Sequence, residues 1–377
     1  MKYWHLLIAA FIVAPPYLVL QAQQVPTNAP APVKVAAPPL GVPPSIHGTE
    51  DLRSLVLDKS SMHAAAPLAG ETDNYPEFTR ELLQVQWRAG DPIDLYVIKP
   101  RGTKNPPVVI YVYSYPSETD RFRDNEYCKR LTASGYAAVG FVSALTGQRY
   151  HDRPMREWFV SKLPEALAMS VHDVQMVLQY LSERGDVDMA RVGIFGSGSG
   201  ATIAILAATI EPQIRAVDAL QPWGDWPDWL AKSTLIPETE RAAYLRPEFL
   251  ASVAPFDPVR WVGRVQAKSL RLQLVLDDPV TPLAAVQHIK TAAPPSAQVL
   301  EYPSKRDQYQ VLGGGRAFDW IKDRLRVPNS PSESTQAINQ EPKAQNERPQ
   351  EWVGNACQQK YRAEGWEWLF CCCCQHR

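Results

Sequence analysis

Residues 196–200 of this 377-residue chain are Gly-Ser-Gly-Ser-Gly, and this run of small side chains constrains the fold more than any other feature. It joins a short apolar stretch, residues 191–195, to a longer one, residues 201–209. The first has the length and composition of a buried strand, and the second those of a buried helix. Because a helix that leaves a strand through a sharp turn passes close to that strand, the turn needs small residues. The run therefore predicts a strand, a tight turn and a packed helix in succession.

The chain around this turn alternates between strand-like and helix-like segments. The first two strand-like segments flank Gly90-Asp91-Pro92, which predicts an antiparallel hairpin. Alternation of this kind predicts one α/β domain over residues 75–327, with a mostly parallel central sheet and helices on both faces. Strands are predicted at 82–87, 93–99, 106–115, 136–143, 191–195, 214–220, 270–276 and 298–302, and helices at 125–134, 170–184, 201–209, 283–292 and 315–325.

The amino-terminal segments indicate export. Residues 1–22 combine Lys2 with an apolar run that Pro15-Pro16 interrupts, which predicts a signal peptide. The alternative is an uncleaved anchor, but the apolar run is well short of the ~20 residues that span a bilayer. Residues 23–48 are rich in Pro and Ala and predict an extended tether. We expect a periplasmic or secreted protein whose mature chain has no membrane-spanning helix.

The carboxyl-terminal residues 328–377 have the polar composition of a disordered tail and end in four consecutive cysteines, residues 371–374. Clustered cysteines could bind a metal or carry a lipid. No second pair at zinc-ligand spacing accompanies them, so no metal site is predicted. A poorly ordered tail, or a reading-frame artefact, is the simpler interpretation.

Charge and glycine content exclude two classes of partner. The 39 basic and 40 acidic side chains give a net charge of −1, so nothing indicates nucleic acid binding. The glycines at 313–315 lack the Lys-Ser/Thr sequel of a phosphate-binding loop. No cofactor is predicted.

Residues 186–200, which read Asp-Val-Asp-Met-Ala-Arg-Val-Gly-Ile-Phe-Gly-Ser-Gly-Ser-Gly, carry a family resemblance. The segment resembles the strand-to-helix turn of the α/β-hydrolase superfamily, particularly its prolyl-oligopeptidase-like and dienelactone-hydrolase-like branch. Asp278, which follows the strand at 270–276, lies where that family carries its triad acid. The resemblance covers residues 82–325 and implies a hydrolase fold with a Ser-His-Asp site at the carboxyl ends of the strands.

Three positions depart from the family pattern. The family's nucleophile falls on Gly198, which has no side-chain oxygen. Its histidine is expected just past the last strand, where this chain has Asp307 and Gln308 instead. The family's oxyanion loop corresponds to Tyr113-Ser114-Tyr115 followed by Pro116, whose nitrogen cannot donate a hydrogen bond. The resemblance therefore implies the scaffold without its complete triad.

A register shift by one residue is the alternative for catalysis. Ser199 has small residues two positions before and after it, Ser197 and Ala201, and could act as the nucleophile. Otherwise it is a turn serine that hydrogen-bonds to nearby backbone. His151 follows a predicted strand and is either a cleft residue or a solvent-exposed loop residue.

Aromatic residues are candidates for lining a ligand cleft. Trp223 and Trp226 follow the strand predicted at 214–220, at the end where α/β sheets bind ligands, and Tyr113 lies in the last part of the strand predicted at 106–115. They could contact a small molecule, a sugar or a peptide, although packing is the commoner role of large aromatic side chains.

These features predict an exported, catalytically degenerate α/β-hydrolase-fold protein that acts by binding or interaction. An esterase-type or peptidase-type serine hydrolase that uses Ser199 is the alternative. A drifting copy with no retained function is the third.

Overall fold

The structure is a computed structural model that describes residues 50–57, 67–88, 91–113, 119–145, 149 and 160–326. The predicted signal peptide, the tether, the carboxyl-terminal tail and His151 lie outside these residues. No helix in the described ranges is both long enough and apolar enough to cross a membrane.

The described residues form a nine-stranded mixed sheet in the order β1-β2-β3-β5-β4-β6-β7-β8-β9. The pairs β1–β2, β2–β3 and β3–β5 are antiparallel. The remaining pairs, from β5–β4 to β8–β9, are parallel. The strands are β1 Leu68–Asn74, β2 Phe78–Arg88, β3 Asp91–Pro100, β4 Pro107–Val112, β5 Ala137–Phe141, β6 Asp188–Ser197, β7 Ile214–Leu220, β8 Ser269–Val275 and β9 Gln298–Tyr302.

Ten α-helices lie within the described ranges. They are α1 Asn125–Thr132, α2 Leu163–Arg184, α3 Ser199–Ile210, α4 Trp226–Lys232, α5 Glu238–Tyr244, α6 Pro247–Val253, α7 Pro258–Trp261, α8 Leu283–Ala292, α9 Lys305–Leu312 and α10 Asp319–Leu325. Short 3₁₀ segments occupy Asp120–Arg123, Ala254–Phe256, Val262–Arg264 and Gly313–Phe318.

Apolar side chains pack against both faces of the sheet, because successive residues of a buried strand point to opposite sides. Ile194 belongs to a core cluster with Leu178 of α2 and Leu206 of α3. The next residue, Phe195, belongs to a second cluster that contains Ile321 of α10. The central strands therefore lie between two helical layers, as the sequence predicts for this α/β fold.

The predicted hairpin and the mostly parallel sheet are confirmed, but the structure adds elements that were not predicted, among them the helices α4 to α7 and α9. The sheet extends beyond the predicted hairpin to β1, a polar strand that pairs with β2 along the sheet edge. The predicted helix over 315–325 is α-helical only from Asp319, and Gly313–Phe318 form a 3₁₀ segment instead. Three consecutive glycines explain this difference, since glycine is a poor α-helix former.

Candidate active site

The turn between β6 and α3 has Gly198 at its tip. β6 ends at Ser197, α3 begins at Ser199, and Gly198 has φ 56° and ψ −121°. Its N–H donates to the carbonyl of Leu220 on the neighbouring strand (2.9 Å), and its carbonyl accepts from the N–H of Thr202 (3.2 Å). The residue at the predicted nucleophile position therefore contributes backbone to the turn and no reactive side chain.

The glycines on either side of the tip allow the close approach of helix and strand. A Cβ atom at Gly196 would lie 2.3 Å from the carbonyl oxygen of Gly200. A Cβ atom at Gly200 would lie 2.0 Å from the carbonyl oxygen of Val112 at the end of β4. Both contacts are with backbone, which cannot move aside as a flexible side chain could. The spacing of small residues in the sequence thus follows from packing at this turn.

The two serines in the turn differ in exposure. Ser199 is the first residue of α3 and is 0% exposed, whereas Ser197 at the end of β6 is half-buried. A hydroxyl with no solvent-accessible surface cannot meet a substrate in this conformation of the turn. The shifted register would therefore require the amino terminus of α3 to rearrange.

The predicted acid, Asp278, lies in the loop after β8 and pairs with a lysine. The residue is 7% exposed, and its Oδ1 accepts from the N–H of Val280 (3.1 Å). The same oxygen lies 2.9 Å from Nζ of Lys305, whose side chain is 50% exposed. Lys305 is the first residue of α9, just past β9, so an ammonium occupies the side of Asp278 where the family resemblance implies an imidazole.

The two residues at the predicted histidine position belong to the first turn of α9. Ser304 caps this helix by accepting from the N–H of Asp307 (3.3 Å), and its hydroxyl donates to Asp307 Oδ2 (2.6 Å). Gln308 is 4% exposed. Asp307 therefore stabilises the helix start, and neither residue brings an imidazole to Asp278.

The two histidines in the described ranges have other partners. His172 on α2 is buried beside Glu50 (Nδ1 to Oε1, 2.8 Å) and the carbonyl of Ser54 (3.0 Å). His288 on α8 is exposed and pairs with Asp225 (Nδ1 to Oδ2, 2.6 Å). Neither contacts Asp278.

Residues 93–257 match the model of the dienelactone hydrolase family. Over these residues the chain is similar to the dienelactone hydrolase family. No curated protein matches it.

Solved structures of the α/β-hydrolase superfamily resemble this domain. Acetyl xylan esterase 1 from Thermoanaerobacterium sp. JW/SL YS485 has 17% identity and a TM-score of 0.53, and the match covers 70% of this chain and 89% of that one. A cold-adapted esterase from an Arctic intertidal metagenomic library has 13% identity and a TM-score of 0.51, covering 70% of this chain and 100% of that one. At these identities the structures establish the fold of this domain and no reaction.

Tyr113, one of the three candidates for lining a cleft, is a buried residue just past the end of β4. It is 1% exposed, and its hydroxyl is hydrogen-bonded to that of Tyr127. Its ring packs against Phe122 and Phe195, and the guanidinium of Arg121 lies 3.9 Å from the ring centroid. Burial raises the pKa of Tyr113 to about 12, although the charge of Arg121 acts in the opposite direction. The strand predicted at 106–115 included this residue, but β4 ends one residue earlier, at Val112, and the sequence did not reveal the aromatic side chains around Tyr113.

Trp223 and Trp226 are also core residues, which is the packing role that the sequence favours for large aromatic side chains. They are 3% and 1% exposed. Trp229 stacks on Trp223 with a centroid distance of 5.1 Å and meets Trp226 edge-on at 5.6 Å. The carbonyl of Trp223 accepts from the hydroxyl of Thr202 on α3 (2.6 Å). The stacked tryptophans hold the segment after β7 together, and the hydrogen bond from Thr202 attaches that segment to α3.

Lys305 is the residue of this site whose role the sequence did not reveal. Its ion pair with Asp278 joins the start of α9 to the loop after β8, 27 positions earlier in the chain. No local sequence pattern predicts such a contact. Within the described ranges, no group of three or more His, Cys, Asp or Glu side chains is arranged to hold a metal ion.

Proposed function

We propose that this hydrolase domain binds a small ligand at the carboxyl edge of its sheet and forms no covalent acyl intermediate there. The observation that carries the proposal is Gly198 at the tip of the strand-to-helix turn. Covalent catalysis needs a side-chain hydroxyl, thiol or comparable nucleophile at the attacking position. Glycine has none, so the scaffold supports binding without this chemistry.

The partner of Asp278 supports the same proposal. In a Ser-His-Asp site the acid orients an imidazole that accepts the nucleophile's proton. Here Asp278 pairs with Lys305. An ammonium group has three donors and no acceptor, so in this ion pair it cannot take a proton from a hydroxyl. The acid position thus has a carboxylate, but this carboxylate does not orient an imidazole that could accept a proton from a nucleophile.

The second candidate function is an esterase-type serine hydrolase that uses Ser199. The family match and the esterases among the similar structures favour it. Taken alone, these comparisons support hydrolysis better than binding without chemistry. Ser199 would have to leave its buried position at the start of α3 and find a base. The geometry of the turn is therefore the reason to prefer the binding role.

Turnover of p-nitrophenyl acetate and longer acyl esters by the full chain separates the two candidates. Ser199→Ala and Ser197→Ala form a matched pair, because both remove one hydroxyl from the same turn. The binding role predicts no ester hydrolysis that depends on either serine. Hydrolysis that is abolished in Ser199→Ala and retained in Ser197→Ala would establish the hydrolase instead.

We also propose that the domain acts outside the cytoplasm, on the end of the tether formed by residues 23–48. The support is the amino-terminal sequence pattern alone. The mass of the protein recovered from the periplasm or medium of expressing cells tests it, since cleavage near residue 22 would remove the signal peptide. Recovery of only the uncleaved chain with the cell would contradict export.

A further inference from the structure

An open cavity of about 510 Å³ lies at the opposite edge of the sheet from the Gly198 turn. One wall is the end of α1 with the turn that leads into β5, and the other wall is α10. The first wall contributes Arg130 and Ala133, and the second contributes Asp319, Lys322, Asp323 and Arg326. Because this turn leads into the amino end of β5, and Gly198 follows the carboxyl end of the parallel strand β6, the cavity is separate from the candidate active site.

The amine of Lys322 lies at this cavity. Its Nζ donates to the carbonyls of Arg130 (2.7 Å) and Ala133 (3.2 Å), two residues that also line the cavity. The backbone carbonyl of Lys322 accepts from the hydroxyl of Tyr136 (2.6 Å), and Nζ lies 5.8 Å from the centroid of the Tyr136 ring. Lys322 is 6% exposed, so it is largely enclosed, but unlike Ser199 it has accessible surface and an open cavity beside it.

Burial changes the protonation of this amine. It lowers the pKa of Lys322 from 10.5 to about 8, although the charge of Asp319 acts in the opposite direction. About one-tenth of the amine is then neutral at pH 7, compared with roughly three parts in ten thousand for an ordinary lysine. Only the neutral form has a lone pair that can attack a carbonyl carbon.

The two hydrogen bonds of Nζ leave this lone pair available. A neutral amine has two N–H donors and one lone pair, and the carbonyls of Arg130 and Ala133 accept from both donors. No further hydrogen-bond partner of Nζ lies within the described residues. The amine is therefore held in place by the protein, while its reactive position remains open to a molecule in the cavity.

The charged side chains around the amine indicate the class of ligand. Within the described residues the guanidinium of Arg130 has no carboxylate partner, whereas Arg326 is paired with Asp323 (3.3 Å). Arg130 is thus available to an anionic group. An imine on Lys322 carries a positive charge when protonated, and the charge of Asp319 favours a cation at this position.

We propose that Lys322 forms a reversible imine with a small aldehyde whose anionic group binds to Arg130. The lone pair of Nζ attacks the carbonyl carbon, and the carbonyl oxygen takes up the proton that the nitrogen loses, which gives a carbinolamine. The hydroxyl group then leaves as water and a C=N bond forms, and addition of water reverses the reaction. No oxidant or reductant is needed. This site goes beyond the binding role at the carboxyl edge and does not depend on it.

Trapping of the imine on the full chain at pH 7 is the first test. The probe is pyridoxal 5′-phosphate, an aldehyde that carries a phosphate, followed by borohydride reduction and peptide mapping by mass spectrometry. Lys129 on α1 is the matched control, because its side chain is 37% exposed and hydrogen bonds with Glu126 and Glu77 raise its pKa. We expect Lys322 to react faster than Lys129 by about tenfold or more. Equal or faster labelling of Lys129 would overturn the proposal.

The pH dependence and one variant pair separate a nucleophilic amine from a lysine that only caps α1. Labelling of Lys322 should reach half its maximal rate near pH 8, whereas that of Lys129 should still rise above about pH 10. Lys322→Arg keeps the charge and the donors but removes the amine, so it should abolish the adduct, and Lys129→Arg should retain it. A midpoint above pH 10 for Lys322 would contradict the proposal, and this measurement needs only the wild type.

Pyridoxal, which lacks the phosphate, tests the role of Arg130. The rate of labelling at Lys129 corrects for the different intrinsic reactivities of the two aldehydes. With this correction, the phosphate should accelerate labelling of Lys322 by about fivefold or more, and Arg130→Gln should remove that advantage. Arg264→Gln is the control, because Arg264 also lies against an aromatic ring, that of Trp261, but outside the cavity. No phosphate advantage in the wild type, or an equal loss in Arg264→Gln, would refute the anion site.

Discussion

Two polar regions of this domain differ in how completely their side chains are paired. The first joins the hairpin to α2. The side chain of Arg149 is 1% exposed, contacts both oxygens of Asp91, and donates to Asp173 Oδ2 (2.6 Å). Asp173 also accepts from the indole of Trp87 (3.0 Å) and from Arg88. Each of these charged side chains contacts an opposite charge.

The second region is the candidate site. Lys305 reaches Asp278 from a half-exposed position, while Thr281 and Gln308 are buried without partners. A fully paired buried network rigidifies the structure around it, whereas a partly paired one leaves interactions for something else to make. The first region stabilises the fold, whereas the second lies where we propose that the domain binds its ligand. Natural proteins tolerate incomplete pairing of this kind mainly where function requires it.

The largest expected effect is at the paired region. Arg149→Met leaves Asp91 and Asp173 buried with fewer compensating partners, and breaking a buried ion pair by removing one member costs about 3–5 kcal/mol. The free energy of unfolding from urea titration should fall by that amount. A loss below about 1 kcal/mol would mean that the paired region stabilises the fold no more than the candidate site does, which would contradict the contrast between them.

Acid should affect the paired region next, by a smaller amount. Burial alone would raise the pKa of Glu50, but hydrogen bonds with His172 and Arg88 outweigh it and lower the pKa below the ordinary 4.5. Burial would likewise raise the pKa of Asp173, and the charges of Arg149 and Arg88 lower it below 3.8. These carboxylates release protons more readily when folded, so they stabilise the domain above those values.

The stability that these two carboxylates contribute should therefore disappear progressively as the pH falls below about 4.5. Urea titrations of the wild type and Glu50→Gln between pH 7 and pH 3 measure it. The variant should be less stable at pH 7 and should show a flatter pH dependence. Equal slopes in the two proteins would remove Glu50 from the paired network.

The smallest expected effect is at the candidate site. Lys305→Gln removes the ammonium from an ion pair that is half exposed at Lys305 and buried at Asp278. Because water reaches the lysine side of the pair and the Gln amide can still donate, we expect the small contribution of exposed pairs, about 0–1 kcal/mol. The free energy of unfolding should change by no more than that. A loss comparable to that of Arg149→Met would mean that the Asp278–Lys305 pair holds the fold, and the contrast between the two regions would be lost.

The sequence predicted the parts of this fold that depend on local pattern. The small residues at 196–200 and the apolar stretches beside them placed β6, the turn and α3. The chain-order resemblance placed Asp278 in the loop after β8. In these cases neighbouring residues meet a requirement of packing or turn geometry, so the sequence shows it directly.

The parts that could not be predicted depend on contacts between distant residues. Residues 50–57 dock on α2 because Gln175 bonds both to the N–H of Leu57 (3.1 Å) and to the carbonyl of Leu55 (2.8 Å). The ion pair of Asp278 and the burial of Tyr113 likewise depend on contacts between elements that are distant in the sequence. Composition and periodicity do not predict such tertiary contacts.

The central claim is that the turn at Gly198 presents no reactive nucleophile. The most direct measurement is the intact mass of the folded full chain after incubation with a fluorophosphonate, alongside Ser199→Ala and Ser197→Ala. We expect an unmodified mass for all three proteins. An adduct on the wild type that is absent only from Ser199→Ala would contradict it and make this domain a serine hydrolase.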